Sequence, residues 1–141
     1  MAKTEIRGNV TKKERDCLVK VMEISDNSFP VRLCEIAKAM NIKPPSALEI
    51  VNRLSVKGMV KTKAGMIFLT KNGLDEYERI KLSHRALETL LVQGGISADK
   101  ACRDIEFFDY FLDRKTTLAI LKTIGNPPSC PHGYPIKSGV Q

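Results

Sequence analysis

The sequence predicts a mostly α-helical protein: an N-terminal winged helix-turn-helix with a two-stranded β wing, followed by an all-helical domain. Three observations predict this class. Two short amphipathic segments flank a tight turn within residues 31–60, two short extended runs follow at 59–70, and helical periodicity fills most of the remainder. The change of pattern near Thr70 predicts a winged-helix domain over residues 1–70 and a helical domain over residues 71–141.

The first helix is predicted from its start signal. Thr11 and Glu14 have the spacing of a capping box, in which each side chain satisfies a backbone donor near the other. The segment SDNSFP (25–30) is expected to end this helix. Its apolar stripe consists of Leu18, Val21, Met22 and Ile24.

The helix-turn-helix is predicted within residues 31–60. A short amphipathic helix is followed by the turn at 41–43, and a second helix opens with Pro44 and Pro45, because first-turn donors have no partner within the helix. Gly58 is expected to end the second helix. The predicted buried positions are Leu33, Ile36, Ala37 and Met40 in the first helix, and Ala47, Ile50, Val51 and Leu54 in the second.

The wing is predicted at residues 59–70. Two short extended runs flank Ala64 and Gly65, a pattern that favours a hairpin. Lys61 and Lys63 would lie on its first strand.

Three further helices are predicted after Thr70. The first covers residues 71–92, the second runs from a cap at Ser97 to about Leu112, and the third is capped by Asp113 and ended by Gly125. The tail after Gly125 is rich in Pro and Gly and should be irregular. The apolar faces of 71–92 and 114–124 exceed what one small domain covers, which predicts a homodimer.

Charge indicates the partner of the first domain. Of a net charge of +7, residues 1–70 contribute 13 basic against 7 acidic side chains, and residues 71–141 contribute 10 against 9. A basic first half indicates contact with a polyanion such as nucleic acid. With no apolar leader and no membrane-spanning run, we expect a cytoplasmic protein without a membrane partner.

Cysteine spacing and the lack of a catalytic residue set limit the chemistry that we expect of the chain. The four cysteines lie far apart without a CxxC pair, so we expect free thiols, one of them a possible metal ligand. Nucleophile, base and acid do not occur together at the spacing of a known hydrolase. We therefore expect neither an enzyme nor a small organic substrate.

Three segments resemble the DtxR/MntR family of metal-dependent transcriptional repressors, in its short two-domain form. They are EIAKAMNIKPPSALEIVNRLSVKGMVKTKAGMIFLTKNG in the winged helix, SHRALETLL in the long helix and GNPPSCPHGYPI near the C-terminus. The resemblance implies a homodimer that binds double-stranded operator DNA. It also implies activation by Mn²⁺ or Fe²⁺, other divalent transition metals being possible, and control of genes for metal-ion homeostasis.

The resemblance also implies metal ligands. Asp16 matches the first-helix ligand, His84 the long-helix ligand, and Glu88 an acid that some members use for an additional site. In the next helix, matching the letters AC places Cys102 first, whereas ungapped spacing places Glu106 and Asp109 there. We favour the second register, with both carboxylates on one helix face, and treat Cys102 as the weaker candidate.

Two departures from the family pattern accompany this ligand set. Tyr110 stands where the family has a histidine, and Val19 stands where manganese-type members have a second first-helix acid. Because ligands are lost at both positions, the chain could bind metal more weakly, bind one ion where relatives bind two, or show no metal response. An oxygen-rich set with one imidazole favours Mn²⁺ or Fe²⁺ over thiol-seeking metals.

Residues for DNA contact are expected on the second helix of the helix-turn-helix and on the wing. Polar side chains there can hydrogen-bond bases or phosphates, Pro45 can contact thymine methyl groups, and Glu49 can accept from a cytosine amino group. The candidates are Lys43, Pro45, Ser46, Glu49, Asn52, Arg53, Lys57, Lys61 and Lys63.

Two alternatives stay open from the sequence. The first is a winged-helix regulator that has lost metal control and stays on DNA. The second is a metal-binding or redox protein that uses Cys102, Cys130 and His132, with incidental DNA affinity.

Overall fold

The computed structural model describes residues 10–27 and 31–137. These form two compact units, Val10–Tyr77 and residues 78–137, and the division falls inside a long helix. The element order confirms the predicted fold class. The elements are α1 (Lys12–Asn27), α2 (Leu33–Met40), α3 (Pro44–Val56), β1 (Val60–Lys63), β2 (Met66–Leu69), α4 (Lys71–Gln93), α5 (Ala98–Ile105) and α6 (Arg114–Thr123).

The capping box at the start of α1 is confirmed. The Thr11 hydroxyl accepts a hydrogen bond from the Glu14 amide at 3.2 Å, and the Glu14 carboxylate accepts one from the Thr11 amide at 3.1 Å. The helix continues past the predicted break at Ser25 to Asn27. Ser25 is helical, and its hydroxyl donates to the Met22 carbonyl at 3.0 Å. Residues 28–30, also assigned to this break, lie outside the described residues.

The helix-turn-helix forms where the sequence predicts, although Leu33 and Met40 on α2, predicted to be buried, are only half-buried. Asn41 ends α2 in the left-handed conformation (φ 57°), and α3 starts directly at Pro44. One face of α3 is buried against α1 and α2. That face consists of Ala47, Ile50, Val51 and Leu54, the four residues predicted.

The wing is an antiparallel hairpin of β1 and β2, with Val60 opposite Leu69 and Lys63 opposite Met66. Ala64 and Gly65 both have positive φ angles, 53° and 77°, which suits the tight turn of a two-residue hairpin.

The start of α4 is tied to the wing. Thr70 caps this helix by accepting a hydrogen bond from the Gly73 amide at 3.1 Å, and its hydroxyl donates to the Gly58 carbonyl at 2.6 Å. A Cβ atom on Gly73 would lie 1.9 Å from the Met59 carbonyl oxygen. Glycine at this position therefore lets α4 approach the backbone before β1.

In the second unit, the prediction of a helix reaching Leu112 is wrong, because α5 ends at Ile105. Residues 106–111 form turns instead. The segment Phe107–Phe111 (FFDYF) contains only residues of modest helix propensity. From α4, the Arg79 guanidinium also donates hydrogen bonds to two carbonyls of this region, those of Tyr110 and Leu112.

The last helix begins and ends as predicted. Asp113 caps α6 by accepting from the Thr116 amide at 2.7 Å, and Gly125 follows its end with a φ of 89°. Leu82 and Ala86 of α4 pack with Leu121 of α6 in the core of this unit. Ile136 packs against the same cluster, so the tail covers part of the core.

Candidate metal centre and nucleic-acid interface

Most DNA-contact candidates lie on an exposed surface of the first unit. The buried face of α3 directs the opposite face outward. Exposed on it and at its start are Lys43, Pro45, Ser46, Glu49 and Asn52. Lys61 and Lys63 are exposed on β1.

Two residues predicted to contact DNA, Arg53 and Lys57, also bond a buried side chain of the protein. Arg53 donates to the Glu14 carboxylate at 2.8 Å and Lys57 donates to its other oxygen at 2.6 Å. Arg53 also lies 3.7 Å from Glu49. The Glu14 side chain is only 1% exposed, whereas those of Arg53 and Lys57 stay 40% and 36% exposed. The pair therefore joins α1 to the end of α3 and still presents positive charge outside.

The environment of Glu14 shifts its pKa. Burial raises the pKa, but hydrogen bonds from Lys57, the Thr11 amide and Arg53 outweigh burial and lower the pKa below its ordinary value of 4.5. Glu14 is therefore ionised at neutral pH.

Leu48 is a surface residue that the sequence analysis did not select. It is 47% exposed on α3, between Ser46 and Glu49. An exposed leucine at this place offers the apolar contact that a thymine methyl group accepts. The sequence could have indicated this exposure, because Leu48 falls outside the set of buried positions on the helix, which are Ala47, Ile50, Val51 and Leu54.

His84 is the centre of a polar cluster in the second unit. Its Nδ1 lies 2.8 Å from Asp109 Oδ2, and its Nε2 lies 3.3 Å from Cys102 Sγ. Asp109 is fully buried. An ionised Asp109 carboxylate can accept a hydrogen bond from the Nδ1–H group, and in that tautomer the Nε2 lone pair faces Cys102.

Glu88 completes a possible chelating set. His84 and Glu88 stand one turn apart on α4, and Cys102 reaches them from α5. One ligand atom from each of the three residues lies within 4.8 Å of the other two. An imidazole nitrogen, a carboxylate oxygen and a thiol sulfur at such distances can reach a common divalent ion, so these residues fit a metal.

The structure places the remaining ligand candidates differently. Glu106 follows the last residue of α5 and is half-buried, so Glu106 and Asp109 do not share a continuous helix face. Asp16 lies in the first unit, where it accepts hydrogen bonds from Lys12 at 2.7 Å and from Arg15 at 2.9 Å. Tyr110 is buried, and its ring stacks on that of Phe111.

A second layer surrounds Glu88. His132 Nδ1 is hydrogen-bonded to the Glu88 carboxylate, and His132 Nε2 lies 2.9 Å from Asp99 Oδ1. The hydrogen bond with Asp99 and the charge of Glu88 raise the pKa of His132 above its ordinary value of 6.5. His132 in turn lowers the pKa of Asp99. Sequence reasoning paired His132 with Cys130 and missed Asp99, since no local pattern links Asp99 to a residue 33 positions away.

Large apolar side chains are exposed near the cluster. Phe107 and Phe111 are 67% and 51% exposed, and Phe108 is 40% exposed. They lie in the turns after α5, whereas Leu74 and Leu90 are 40% and 38% exposed on α4, one of the two helices for which the sequence predicted contact between chains.

Within the described residues, no helix is both long and apolar enough to cross a bilayer.

An exposed helix-turn-helix with a basic wing, followed in the chain by a helical unit with a His–Glu–Cys cluster, fits the class of DNA-binding regulators that carry a metal site. Two family descriptions match the chain: "Iron dependent repressor, N-terminal DNA binding domain" over residues 9–65, and "Iron dependent repressor, metal binding and dimerisation domain" over residues 70–138. The chain therefore belongs to the iron-dependent repressor family. The members of this family are DNA-binding repressors rather than enzymes.

Individual proteins are similar to this chain over most of its length. An uncharacterised HTH-type transcriptional regulator of Aeropyrum pernix is 29% identical over 107 residues, which are 74% of this chain and 59% of that protein. The crystal structure of the hypothetical protein SSo2273 from Sulfolobus solfataricus matches with 31% identity and a TM-score of 0.78, covering 90% of this chain and 98% of that one.

A further solved structure, that of the manganese regulator SloR, has 26% identity and a TM-score of 0.76, covering 90% of this chain and 60% of that one. The chain thus spans about three fifths of the length of the Aeropyrum regulator and of SloR.

Proposed function

We propose that the protein is a homodimeric repressor that binds operator DNA when Mn²⁺ or Fe²⁺ occupies its second unit, and that it controls genes for metal-ion homeostasis. Residues 1–70 would bind DNA, and residues 71–141 would bind metal and dimerise. The observation that carries this proposal is the proximity of His84, Glu88 and Cys102, whose ligand atoms lie within 4.8 Å of one another. The family descriptions and the name of the manganese regulator SloR support the same function.

His84, Glu88 and Cys102 form the central ligand set in this proposal. In this proposal the Asp109 carboxylate accepts a hydrogen bond from Nδ1–H of His84. This bond orients the imidazole so that Nε2 can bind the metal, as carboxylates do for many metal-binding histidines. Cys102 must lose its proton to become a ligand, so binding releases a proton. Glu106, which follows α5 in the same unit, is proposed as a further ligand, and Asp16 stays a prediction from the resemblance.

When bound, the ion supplies positive charge that offsets Glu88 and the Cys102 thiolate. Within the chain, His84 and Glu88 belong to α4 and Cys102 belongs to α5, so joint binding holds these two helices together. A sulfur in the ligand set shifts the preference from Mn²⁺ toward Fe²⁺, because Mn²⁺ favours oxygen ligands more strongly.

DNA binding is proposed for the exposed face of α3 and for the wing. Ser46, Asn52 and Leu48 have side chains suited to base edges, and Lys61 and Lys63 are suited to phosphates. A homodimer would place two such helices in successive major grooves if they stand ~34 Å apart. The exposed Phe107, Phe108 and Phe111 are proposed as part of the surface between the two chains.

Metal-induced stabilisation tests the ligand set. In anaerobic thermal unfolding, Fe²⁺ at about 100 times its dissociation constant should stabilise the wild type by about 2.7 kcal/mol. Glu88→Gln and Cys102→Ala should lose this gain, and Cys102→Ala should lose more of it for Fe²⁺ than for Mn²⁺.

The control is Cys34→Ala, which removes an exposed thiol on α2, in the other unit. This variant should keep the full gain. Equal stabilisation of Cys102→Ala and wild type by Fe²⁺ would exclude Cys102 and favour the carboxylates alone. Chelator-insensitive DNA binding would favour the regulator without metal control.

A further inference from the structure

The segment after α6 returns to α4 and is fastened there by several contacts. Arg85 donates to the Pro135 carbonyl at 3.0 Å, and its guanidinium lies 5.4 Å from the ring centre of Tyr134. The segment is also internally bonded, because the Cys130 amide donates to the Tyr134 carbonyl at 2.9 Å. His132 is thus held in place by the residues that follow it.

His132 connects three parts of the second unit. Its Nδ1 is bonded to Glu88 on α4, and its Nε2 to Asp99 in the first turn of α5. Asp99 precedes Cys102 by one turn of the same helix. The imidazole therefore bridges the two helices that carry His84, Glu88 and Cys102.

The Glu88 carboxylate needs such a partner. The side chain is only 2% exposed, and a buried carboxylate is costly unless it is hydrogen-bonded. His132 remains 33% exposed, so the bond also connects the buried carboxylate with the surface. Loss of this bond would leave the buried carboxylate without the donor that His132 supplies.

We propose that His132 is a positioning residue that holds the Glu88 carboxylate in its ligating orientation, and that residues 126–137 thereby form the outer layer of the metal site. This inference rests on the proposed function of His84, Glu88 and Cys102. Carboxylate ligands are commonly fixed by hydrogen bonds from outer groups, and loss of such a group typically lowers metal affinity about 10–100-fold. By linkage, metal binding should in turn hold residues 126–137 more firmly against α4.

Three substitutions separate positioning from simple packing. His132→Phe keeps a ring of similar size and removes both nitrogens. His132→Asn keeps a donor near the position of Nδ1 and gives up the bond to Asp99. Asp99→Asn changes only the outer partner, whose side chain is 83% exposed, and serves as the matched control.

The experiment combines anaerobic calorimetric titration with Fe²⁺ and hydrogen exchange of residues 126–137, without metal and with Fe²⁺. Circular dichroism first verifies that each variant is folded. We expect His132→Phe to lower Fe²⁺ affinity about 10–100-fold, His132→Asn to recover most of that loss, and Asp99→Asn to change affinity little. Fe²⁺ should slow exchange in residues 126–137 of the wild type and not of His132→Phe.

Two results would overturn the inference in distinguishable ways. If the wild type binds Fe²⁺ and His132→Phe binds it equally well, or if His132→Asn is as weak as His132→Phe, His132 does not position Glu88 and the proposed function stands. If neither the wild type nor Cys102→Ala binds Fe²⁺, the metal site itself is wrong and the inference fails with it. Should His132→Phe not fold, His132→Leu, which also lacks both nitrogens, takes its place in the comparison with His132→Asn by the same criteria.

Discussion

Single side chains in this protein have partners far along the chain, and Glu14 is the clearest example. The sequence correctly predicts its role in the capping box with Thr11, because that pattern is local. It does not reveal that Arg53 and Lys57 converge on the same carboxylate, since these residues lie 39 and 43 positions away. As a result, two side chains assigned to DNA alone also join α1 to α3.

Glu14→Gln should destabilise the first unit. The substitution removes the buried charge that Arg53 and Lys57 contact, at a cost of about 1–3 kcal/mol in the free energy of unfolding. Chemical denaturation at pH 7 measures this loss. Thr11→Ser, which retains the hydroxyl cap, should cost much less, and equal losses in the two variants would contradict the central role of the ion pairs.

Acid should weaken the wild type through the same group. The pKa of Glu14 in the folded state is below the ordinary 4.5, so its stabilisation is present above pH 4.5 and is lost as pH falls through the lower folded value. The difference in stability between wild type and Glu14→Gln should therefore shrink from pH 6 toward pH 3. A constant difference across this range would show that the carboxylate charge is not responsible.

The metal cluster, like the ion pairs of Glu14, depends on contacts between residues that are far apart in the sequence. Spacing favours Glu106 and Asp109 as paired ligands on a helix, but α5 ends at Ile105 and only Asp109 contacts His84. Cys102, the weaker candidate from the sequence, lies 3.3 Å from His84. How α4 meets α5 depends on tertiary packing, which one-dimensional spacing does not encode.

At the scale of helices and strands, local sequence patterns predict where most helices start, but the end of α5 lies earlier than the pattern predicts. Thr11, Ser97 and Asp113 cap helices as expected, and the tight turns at Asn41 and Ala64–Gly65 form where predicted. The end of α5 at Ile105 was missed, and Arg79 donates to the carbonyls of Leu112 and Tyr110, which lie 33 and 31 residues later in the chain. Such a contact leaves no mark on the periodicity of the segment.

Gly73 sets how closely α4 approaches the wing. A methyl group there would lie 1.9 Å from the Met59 carbonyl oxygen, so the backbone must move. Gly73→Ala should therefore cost at least the upper part of the ~1–3 kcal/mol typical of overpacking, despite the better helix propensity of alanine.

Gly94, just beyond the C-terminus of α4, provides the control for Gly73. A Cβ there would lie no closer than 3.4 Å to its neighbours, so Gly94→Ala should be tolerated. Equilibrium unfolding of both variants makes the comparison. Similar stability of the two would contradict the close approach at Gly73.

At the scale of the whole molecule, the uneven charge predicts how DNA is bound. Residues 1–70 carry most of the excess of 23 basic over 16 acidic side chains in the chain, and Lys61 and Lys63 are exposed on the wing. Replacing both with Ala should weaken binding to all DNA sequences alike. The slope of log affinity against log salt should become shallower by roughly one unit for each lost phosphate contact.

Lys115 and Lys122, which are exposed on or near α6 in the other unit, provide the charge-matched control. Their double Ala variant changes the net charge equally and should leave the salt slope unchanged. Fluorescence anisotropy over a range of salt concentrations measures both pairs. Equal effects of the two pairs would indicate a general charge effect rather than contact by the wing.

The central claim is that metal bound at His84, Glu88 and Cys102 controls DNA binding. Its most direct test is operator affinity with Fe²⁺ and with chelator under anaerobic conditions, for the wild type, Cys102→Ala and Cys34→Ala, on a duplex selected by the wild type. We predict that Fe²⁺ raises the affinity of the wild type and of Cys34→Ala by roughly 5–150-fold and leaves Cys102→Ala near its chelated value. An affinity that chelator does not change in the wild type, or an undiminished Fe²⁺ response in Cys102→Ala, would contradict the claim.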